Sequence, residues 1–332
     1  MIRIGIIGLG WWGKQIVTCL AQSPRFKVVA GCDLDGKMAA PFAAAQKFDL
    51  VDDYRALLQR PDIDAIAVVT PHALHEEMAI AAFAAGKQVF CEKPLALTAA
   101  SAERILAACA KAGGVLGIGH ERRYEPAMEE MRRLFESGAL GRILHMDANV
   151  SHDNFRKMDP SNWRRDPKHA PAGAWTALGI HLGDMFVSLA GKPTRIAART
   201  ASQIFPAPSE DFVSADIDFS GGARGRITCL STPPFYGRFT LIGDQGWVEV
   251  QEGGNVDKGI PSSFVHCGPD GKRVTRNYPH TNTVRMNFEA WADALEGHAP
   301  YRFTAEQLLA NISILDAVTR SAAADGKPIA IP

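Results

Sequence analysis

Residues 1–13 confine this chain more than any other stretch. An isoleucine-rich strand, Met1 to Ile7, runs straight into Gly8-Leu9-Gly10-Trp11-Trp12-Gly13, and Gly13 to Gln22 then carries a helical pattern. This is GxGxxG in the setting the motif needs, a strand, a glycine turn and a helix. The glycines permit a tight turn and close backbone approach, and the helix amino end favours pyrophosphate charge. A second strand, Lys27 to Cys32, ends at Asp33, 20 residues after Gly13. An acid there can accept hydrogen bonds from both adenosine ribose hydroxyls and repels a 2′-phosphate, which favours NAD over NADP. The competing role for Asp33 is a cap on the next helix, which Asp35 could equally serve.

The alternation continues. Met38 to Phe48 reads as an alanine-rich helix that Pro41 starts or kinks, and Tyr54 to Leu58 as a short one. Ala65 to Val69 is an apolar strand ending at Thr70-Pro71-His72, followed by a helix from Leu74 to Ala85 that Gly86 stops. Gln88 to Cys91 is a buried strand with Glu92-Lys93-Pro94 at its carboxyl end, where parallel α/β sheets bind ligands. Helix Leu97 to Ala112 and strand Val115 to Gly119 complete a doubly wound parallel sheet over residues 1–120. His72 and His75 are spaced HxxH, but position 79 is Ala79 and no cysteine or acid cluster completes a metal site. Their expected role is structural or in cofactor packing, with no metal.

From Glu121 the pattern changes. Pro126 to Ser137 is amphipathic, with Met128, Met131 and Phe135 on one stripe. Leu144 to Val150 and Val213 to Ser220 alternate with period two, Gly221-Gly222 turns into Arg224 to Leu230, and Arg238 to Ile242 and Trp247 to Gln251 add strands. Such alternation predicts a large, mostly antiparallel sheet with unlike faces, so residues 121–332 form an α+β domain. Val284, Phe288, Trp291 and Leu295 mark one late helix, and Thr304 with Gln307 begins another as a capping box. His181, with Asp184 three residues on, lies in the apolar helical pattern of Gly173 to Leu189. A histidine there is either a packed core residue or a catalyst, and periodicity leaves both open.

At 332 residues and 46 % hydrophobic, the chain can build two cores. Lys+Arg 36 balances Asp+Glu 36, so no global charge draws it to nucleic acid or an anionic membrane. No apolar run approaches a membrane span, a strand from Ile2 leaves no stretch for a leader, and the six cysteines have no paired spacing. The expectation is a cytoplasmic protein with reduced thiols and a small-molecule substrate.

In combination and order, Gly8 to Gly13, Asp33, Thr70-Pro71 with His75, Glu92-Lys93-Pro94, Arg122-Arg123-Tyr124-Glu125-Pro126, Trp163-Arg164, and Leu178-Gly179-Ile180-His181 with Asp184 resemble the Gfo/Idh/MocA oxidoreductases, the glucose–fructose oxidoreductase and inositol dehydrogenase family. The resemblance covers essentially the whole chain. It implies a Rossmann domain, an open-faced C-terminal sheet used for dimer or tetramer contacts, and hydride transfer between nicotinamide and a sugar or polyol carbon. Gly8, Gly10, Trp11, Trp12, Gly13, Asp33, Thr70, Pro71, His72, His75, Glu92, Lys93 and Arg123 would then hold the cofactor. Lys93, Arg122, Trp163, Arg164, Thr176 and His181 would meet substrate. Lys93 would hydrogen-bond the reacting hydroxyl and stabilise developing alkoxide, with His181 as base or relay.

Two departures stand out. The family commonly has an Asp four residues before the histidine, where this chain has Ala177, and an Asn where it has Glu121. Either Thr176 or Asp184 orients His181, or Lys93 transfers the proton alone, or the protein is a catalytically silent dinucleotide sensor. Arg156, Lys157, Arg164, Arg165, Lys168 and His169 crowd the loop before Gly173 beside Asp159 and Asp166. They form either a clamp for an anionic substrate such as a sugar acid or carboxylated diol, or a solvated loop with local ion pairs.

Overall fold

The computed structural model describes residues 1–255 and 258–332. The chain forms two compact units, Met1–Glu121 with Asn282–Ala305, and Arg122–Thr281 with Glu306–Pro332.

In the first unit, β1 (Ile2–Ile7), α1 (Trp11–Leu20), β2 (Phe26–Cys32), α2 (Gly36–Gln46), β3 (Asp49–Val51), α3 (Tyr54–Leu58), β4 (Ala65–Val68), α4 (His75–Ala84), β5 (Gln88–Cys91), α5 (Ala99–Lys111) and β6 (Leu116–Ile118) follow in turn. The strands make one parallel sheet in the order β3-β2-β1-β4-β5-β6. This is the expected doubly wound sheet, with its order reversing between β1 and β4. All four residues of β4 are buried, as helices on both faces of a parallel sheet require. Pro41 lies inside α2, which starts earlier than the alanine run suggests because Asp35 caps it, accepting from the Met38 N–H at 3.1 Å.

In the second unit, α6 (Pro126–Glu136) buries Met128, Met131 and Leu134, the last in place of Phe135. It precedes β7 (Ile143–Ser151), α7 (Ile180–Ala190), β8 (Pro193–Ala201), β9 (Phe212–Phe219), β10 (Arg224–Leu230), β11 (Tyr236–Gly243), β12 (Trp247–Glu252), β13 (Ser262–Cys267) and β14 (Arg273–Tyr278). Helix α8 (Thr283–Leu295) returns to the first unit, and α9 (Ala305–Ala323) and β15 (Ile329–Ala330) close the second. The nine-stranded sheet runs β14-β13-β12-β11-β7-β10-β9-β8-β15 and is antiparallel throughout except where β7 and β10 pair parallel. Met146, Ala148, Ile217, Ile227 and Phe239 are buried on one face, where the Phe186 ring of α7 meets Phe239 at 5.3 Å. The opposite face is ionic. Arg226 pairs with Asp216 and Arg195 with Asp218, both at 2.8 Å, and Arg238 binds Asp147.

Division by chain order at residue 120 does not include α8 with the first unit. Its Phe288 ring stacks on Phe90 at 3.8 Å, Trp291 lies parallel to Phe26 at 6.2 Å, and the Trp291 indole N–H donates to the Val115 carbonyl at 2.9 Å. Phe288 and Trp291 are almost wholly buried in the same apolar cluster as β1 and α1. Among the described residues, no helix is long and apolar enough to cross a membrane.

Candidate functional site

The parallel register brings five strand ends to one edge. The Gly8 N–H donates to the Cys32 carbonyl at 2.8 Å, Val69 to Ile7 at 2.8 Å, Glu92 to Val68 at 2.9 Å and Gly119 to Cys91 at 3.0 Å. The glycine turn, Asp33, Thr70-Pro71 and Lys93 therefore follow strands that end side by side. Gly8 has φ +98°, and a Cβ there would lie 2.5 Å from the Val69 carbonyl oxygen. Only glycine fits this turn. Gly10 precedes α1 and makes no side-chain cap bond to the helix's first N–H groups. Trp11 is exposed and Trp12 partly buried, their rings 5.3 Å apart.

Asp33 is not the helix cap. One carboxylate oxygen accepts from the Leu9 N–H at 2.6 Å and the other from the Asp35 N–H at 2.9 Å, tying the end of β2 to the glycine turn. Burial and the charges of Asp53, Asp33 and Asp52 push the neighbouring Cys32 thiol up to about 11. This edge is thus electronegative. The Asp52-Asp53 pair was legible as a sequence feature, but only the pairing of β3 beside β2 gives it meaning.

His75 is fully buried, with Nδ1 2.8 Å from the Pro94 carbonyl oxygen and Nε2 3.0 Å from that of Thr70. Burial holds its pKa below the ordinary value. The ring braces the two loops that follow β4 and β5, and its nitrogens face carbonyls, so it is no metal ligand. His72 lies edge-on to it at 5.8 Å. Thr70 directs its hydroxyl to the Met78 sulfur at 3.5 Å. Lys93 is partly buried and precedes a cis proline bond.

Beside Lys93, Glu92 is 6 % exposed. Its Oε2 accepts from the Lys93 backbone N–H at 3.1 Å. A Cβ on Gly119 would lie 2.5 Å from both Glu92 oxygens, so the carboxyl rests against the end of β6. Burial and the charge of buried Glu121 raise Glu92 to about 7, against the opposing pull of Lys93 and the Trp12 indole. Glu121, noted from sequence only as a departure, thus acts on Glu92 electrostatically.

In the second unit, the segment before His181 differs from a plain helix. Trp175–Gly179 is a π turn, and α7 begins at Ile180. Local π turns inside helices frequently mark functional positions. His181 is 5 % exposed. The Asp184 carboxylate is taken by Arg123, from Nε at 2.6 Å and Nη2 at 2.5 Å, and Arg123 Nη1 also donates to Gln307 at 2.8 Å. Thr176 donates to the Gly173 carbonyl at 3.3 Å. Thr176 and Asp184, the two groups offered from sequence to orient His181, thus also hold Gly173 and Arg123. Arg122 is likewise committed, to Glu252 and to Asn255 at 3.4 Å. Gln307, read from sequence as part of a capping box, supplies an acceptor that no local pattern foretold. Trp163 and Arg164 form a stacked pair, the guanidinium carbon 4.3 Å from the ring centre.

Residues 2–120 match the oxidoreductase family with an NAD-binding Rossmann fold, Gfo/Idh/MocA, and residues 128–249 match its C-terminal domain. The chain belongs to this family. It is 31 % identical over 238 residues to the levoglucosan dehydrogenase of Pseudarthrobacter phenanthrenivorans, an alignment that takes in 68 % of this chain and 59 % of that enzyme, so less than two thirds of its length is spanned. The 1,5-anhydro-D-fructose reductase of Ensifer adhaerens is 27 % identical over 97 % of both chains. A solved levoglucosan dehydrogenase in complex with NADH and levoglucosan superposes with a TM-score of 0.87 over 100 % of this chain and 99 % of that one, at 23 % identity, which shows a shared fold. The Gfo/Idh/MocA family is one of oxidoreductases, in agreement with the expected nicotinamide-dependent enzyme acting on CH–OH groups.

Glu92 makes stability depend on pH. Because its pKa in the folded chain, about 7, exceeds the ordinary 4.5, its contribution is full below 4.5 and is lost as pH rises through 7. Urea unfolding of the cofactor-free protein at pH 5 and pH 8 should show wild type losing about 2–3 kcal/mol more than Glu92→Gln over that interval. Equal losses in the two proteins would show that this carboxyl is ionised throughout.

Proposed function

We propose that this Gfo/Idh/MocA protein is an NAD-dependent dehydrogenase that moves a hydride between nicotinamide and a hydroxyl-bearing carbon of a sugar, polyol, sugar acid or related cyclic diol. The observation that carries this reading is Lys93 at the carboxyl end of β5, on the sheet edge that also bears the glycine turn and Asp33. That edge is where an open α/β sheet binds its ligand. The glycine turn and the amino end of α1 would receive the pyrophosphate, Asp33 the adenosine ribose, and Thr70-Pro71, braced by His75, the nicotinamide side. The electronegative surroundings of Asp33 support NAD over NADP. The bound cofactor would supply the hydride acceptor. Lys93 would hydrogen-bond the reacting hydroxyl and take its proton as the carbon gives up hydride, and His181 would pass that proton on. Arg122, paired with Glu252, would meet substrate, and Arg123, paired with Asp184, the cofactor.

A second reading is a catalytically silent dinucleotide-binding sensor. It is favoured by Ala177, together with the commitment of Asp184 to Arg123. We also propose a cytoplasmic protein with no nucleic-acid or membrane partner. Its dimer or tetramer would form through the ionic face of the nine-stranded sheet, where a cavity of about 440 Å³ is lined by residues including His145, Arg195, Asp218 and Arg226. Alternating Arg and Asp on that face can complement a second copy.

Incubation with NAD and a panel of polyols, sugars and sugar acids should raise reduced-nicotinamide absorbance, and Lys93→Ala should cut turnover by at least about a hundredfold. Tight NAD binding without turnover on any substrate selects the sensor. Asp33→Ala should erode the preference for NAD over NADP by about tenfold, the worth of one charged hydrogen bond; an unchanged ratio refutes the ribose role. Sedimentation should give a dimer or tetramer that Arg226→Glu weakens, and a wild-type monomer across the micromolar range rules the interface out.

A further inference from the structure

Two buried acids, Glu92 and Glu121, follow the neighbouring strands β5 and β6. The register pairs Cys91 with Ile118, which sets Glu92 opposite Gly119, and Glu121 comes two residues later. A Cβ at position 119 would lie 2.5 Å from both Glu92 carboxyl oxygens, so the side chain fills the room that glycine leaves. Glu92 is 6 % and Glu121 4 % exposed, and the charge of Glu121 opposes ionisation of Glu92. The Trp12 indole acts on the same carboxyl from within the glycine turn, Gly8 to Gly13, although its buried N–H reaches no hydrogen-bond partner. Glu92 is thereby coupled on one side to the turn that would receive the cofactor. On the other it accepts from the Lys93 backbone N–H at 3.1 Å.

Two enclosed carboxyls do not both ionise readily, because burial and mutual repulsion each disfavour the second charge. Asp184 has two guanidinium nitrogens, whereas among the described residues no arginine pairs with Glu92. It therefore keeps its proton to about pH 7, and a positive charge brought close would release that proton. Other titratable groups border the pair. Cys91 beside Glu92 and Cys19 of α1, which feels Glu121, are thiols that burial keeps protonated, and Arg285 of α8 pulls on Cys19 against Glu121. His120 packs against the Phe303 ring at 6.2 Å. Arg122 and Arg123, next along the chain, are paired with Glu252 and Asp184.

We propose that Glu92 is a proton store matched to the cofactor, ionised when oxidised nicotinamide occupies this sheet edge and protonated when reduced nicotinamide does, with Glu121 positioned so that the two states interconvert near neutrality. The inference rests on the dehydrogenase reading, because the nicotinamide ring is a cation only when oxidised. In the oxidation the substrate C–H bond breaks and its electron pair leaves as hydride to nicotinamide, while the O–H bond breaks and its proton goes to Lys93. The ring's positive charge disappears in that step. Glu92 then loses the charge that favoured its carboxylate and takes up one proton from solvent. The proton that leaves by way of Lys93 and His181 is matched by the one Glu92 gains, so net release to solvent waits until NADH is exchanged for oxidised NAD.

Titration calorimetry of the full chain in buffers of different ionisation enthalpy counts the protons exchanged as each cofactor binds. At pH 6.5, binding of oxidised NAD should release about half a proton more than binding of NADH, and Glu92→Gln should abolish that excess. The ratio of the NADH Kd to the oxidised NAD Kd should rise at least about fivefold from pH 5.5 to pH 8 in wild type and stay flat in Glu92→Gln. Glu121→Gln should move the pH of maximal excess down by at least about one unit, a shift that a merely structural acid would not produce. Equal proton counts for the two cofactors, or an excess that survives Glu92→Gln, overturns the proposal and leaves the dehydrogenase reading intact. An excess lost in Lys93→Met belongs to the lysine and overturns the proposal too. If neither cofactor binds, the proposal and the dehydrogenase reading fall together. If the excess is present but no polyol, sugar or sugar acid is oxidised, the proton link stands and the dehydrogenase reading falls. Circular dichroism checks that the variants fold, and should Glu92→Gln fail to, the shift in Glu121→Gln decides.

Discussion

The close approach of Gly8 to the backbone of Val69 is the constraint on which the first unit depends. With a side chain at position 8, β1 and β4 could not end side by side, because a Cβ would meet the Val69 carbonyl. That contact lets the chain turn at once into α1, and it points the Leu9 N–H at Asp33. The carboxylate then spans the ends of β1 and β2, while His75 does the same between the loops after β4 and β5 through two carbonyl oxygens. A small number of polar contacts thus fixes four loops on one sheet edge. Strand register places Lys93 beside these loops, at the end of β5.

Charge is handled differently in each unit. In the second unit buried ions are neutralised by partners, with Asp184 wholly enclosed between two guanidinium nitrogens of Arg123. Removing one partner of such a pair costs about 3–5 kcal/mol, because the other charge stays behind. Asp184 is therefore a good anchor for α7. In the first unit the buried carboxyl of Glu92 is offset through protonation instead, beside the lysine proposed to handle the substrate proton. A carboxyl of that pKa next to Lys93 makes the local charge sensitive to pH near neutrality.

Much of this was legible in the sequence, for identifiable reasons. The parallel sheet followed from apolar runs alternating with helices, since burial on both faces removes any polar alternation. The second sheet followed from period-two patterning, whose polar phase is the ionic face. Asp33 was placed by spacing from Gly13, although its bond to Leu9 depends on three-dimensional closeness across 24 residues. What could not be read was long-range partner choice. Nothing near position 123 announces Asp184 or Gln307, and nothing near Phe90 announces Phe288, which lies 198 residues later and returns to the first core. Loop cations were equally illegible, because a count of Arg, Lys and Asp does not say which remain unpaired.

The absence of an acid at Ala177 also reads differently once the backbone is known. Counting four residues back from His181 assumes α-helical periodicity, in which i and i−4 share a stripe. Over Trp175–Gly179 the chain is wound more loosely, and the Ile180 N–H bonds to the Trp175 carbonyl five residues earlier. A π turn shifts which side chain lies one turn before the histidine, from position 177 toward Thr176. Thr176 is fully buried and spends its hydroxyl on the Gly173 carbonyl, at the strained turn where the segment begins. The backbone that carries His181 is thus set by the π turn before it and by the Arg123–Asp184 pair one turn on. On the proposed dehydrogenase reading, the π turn rather than a carboxylate at position 177 sets the approach of the chain to the histidine.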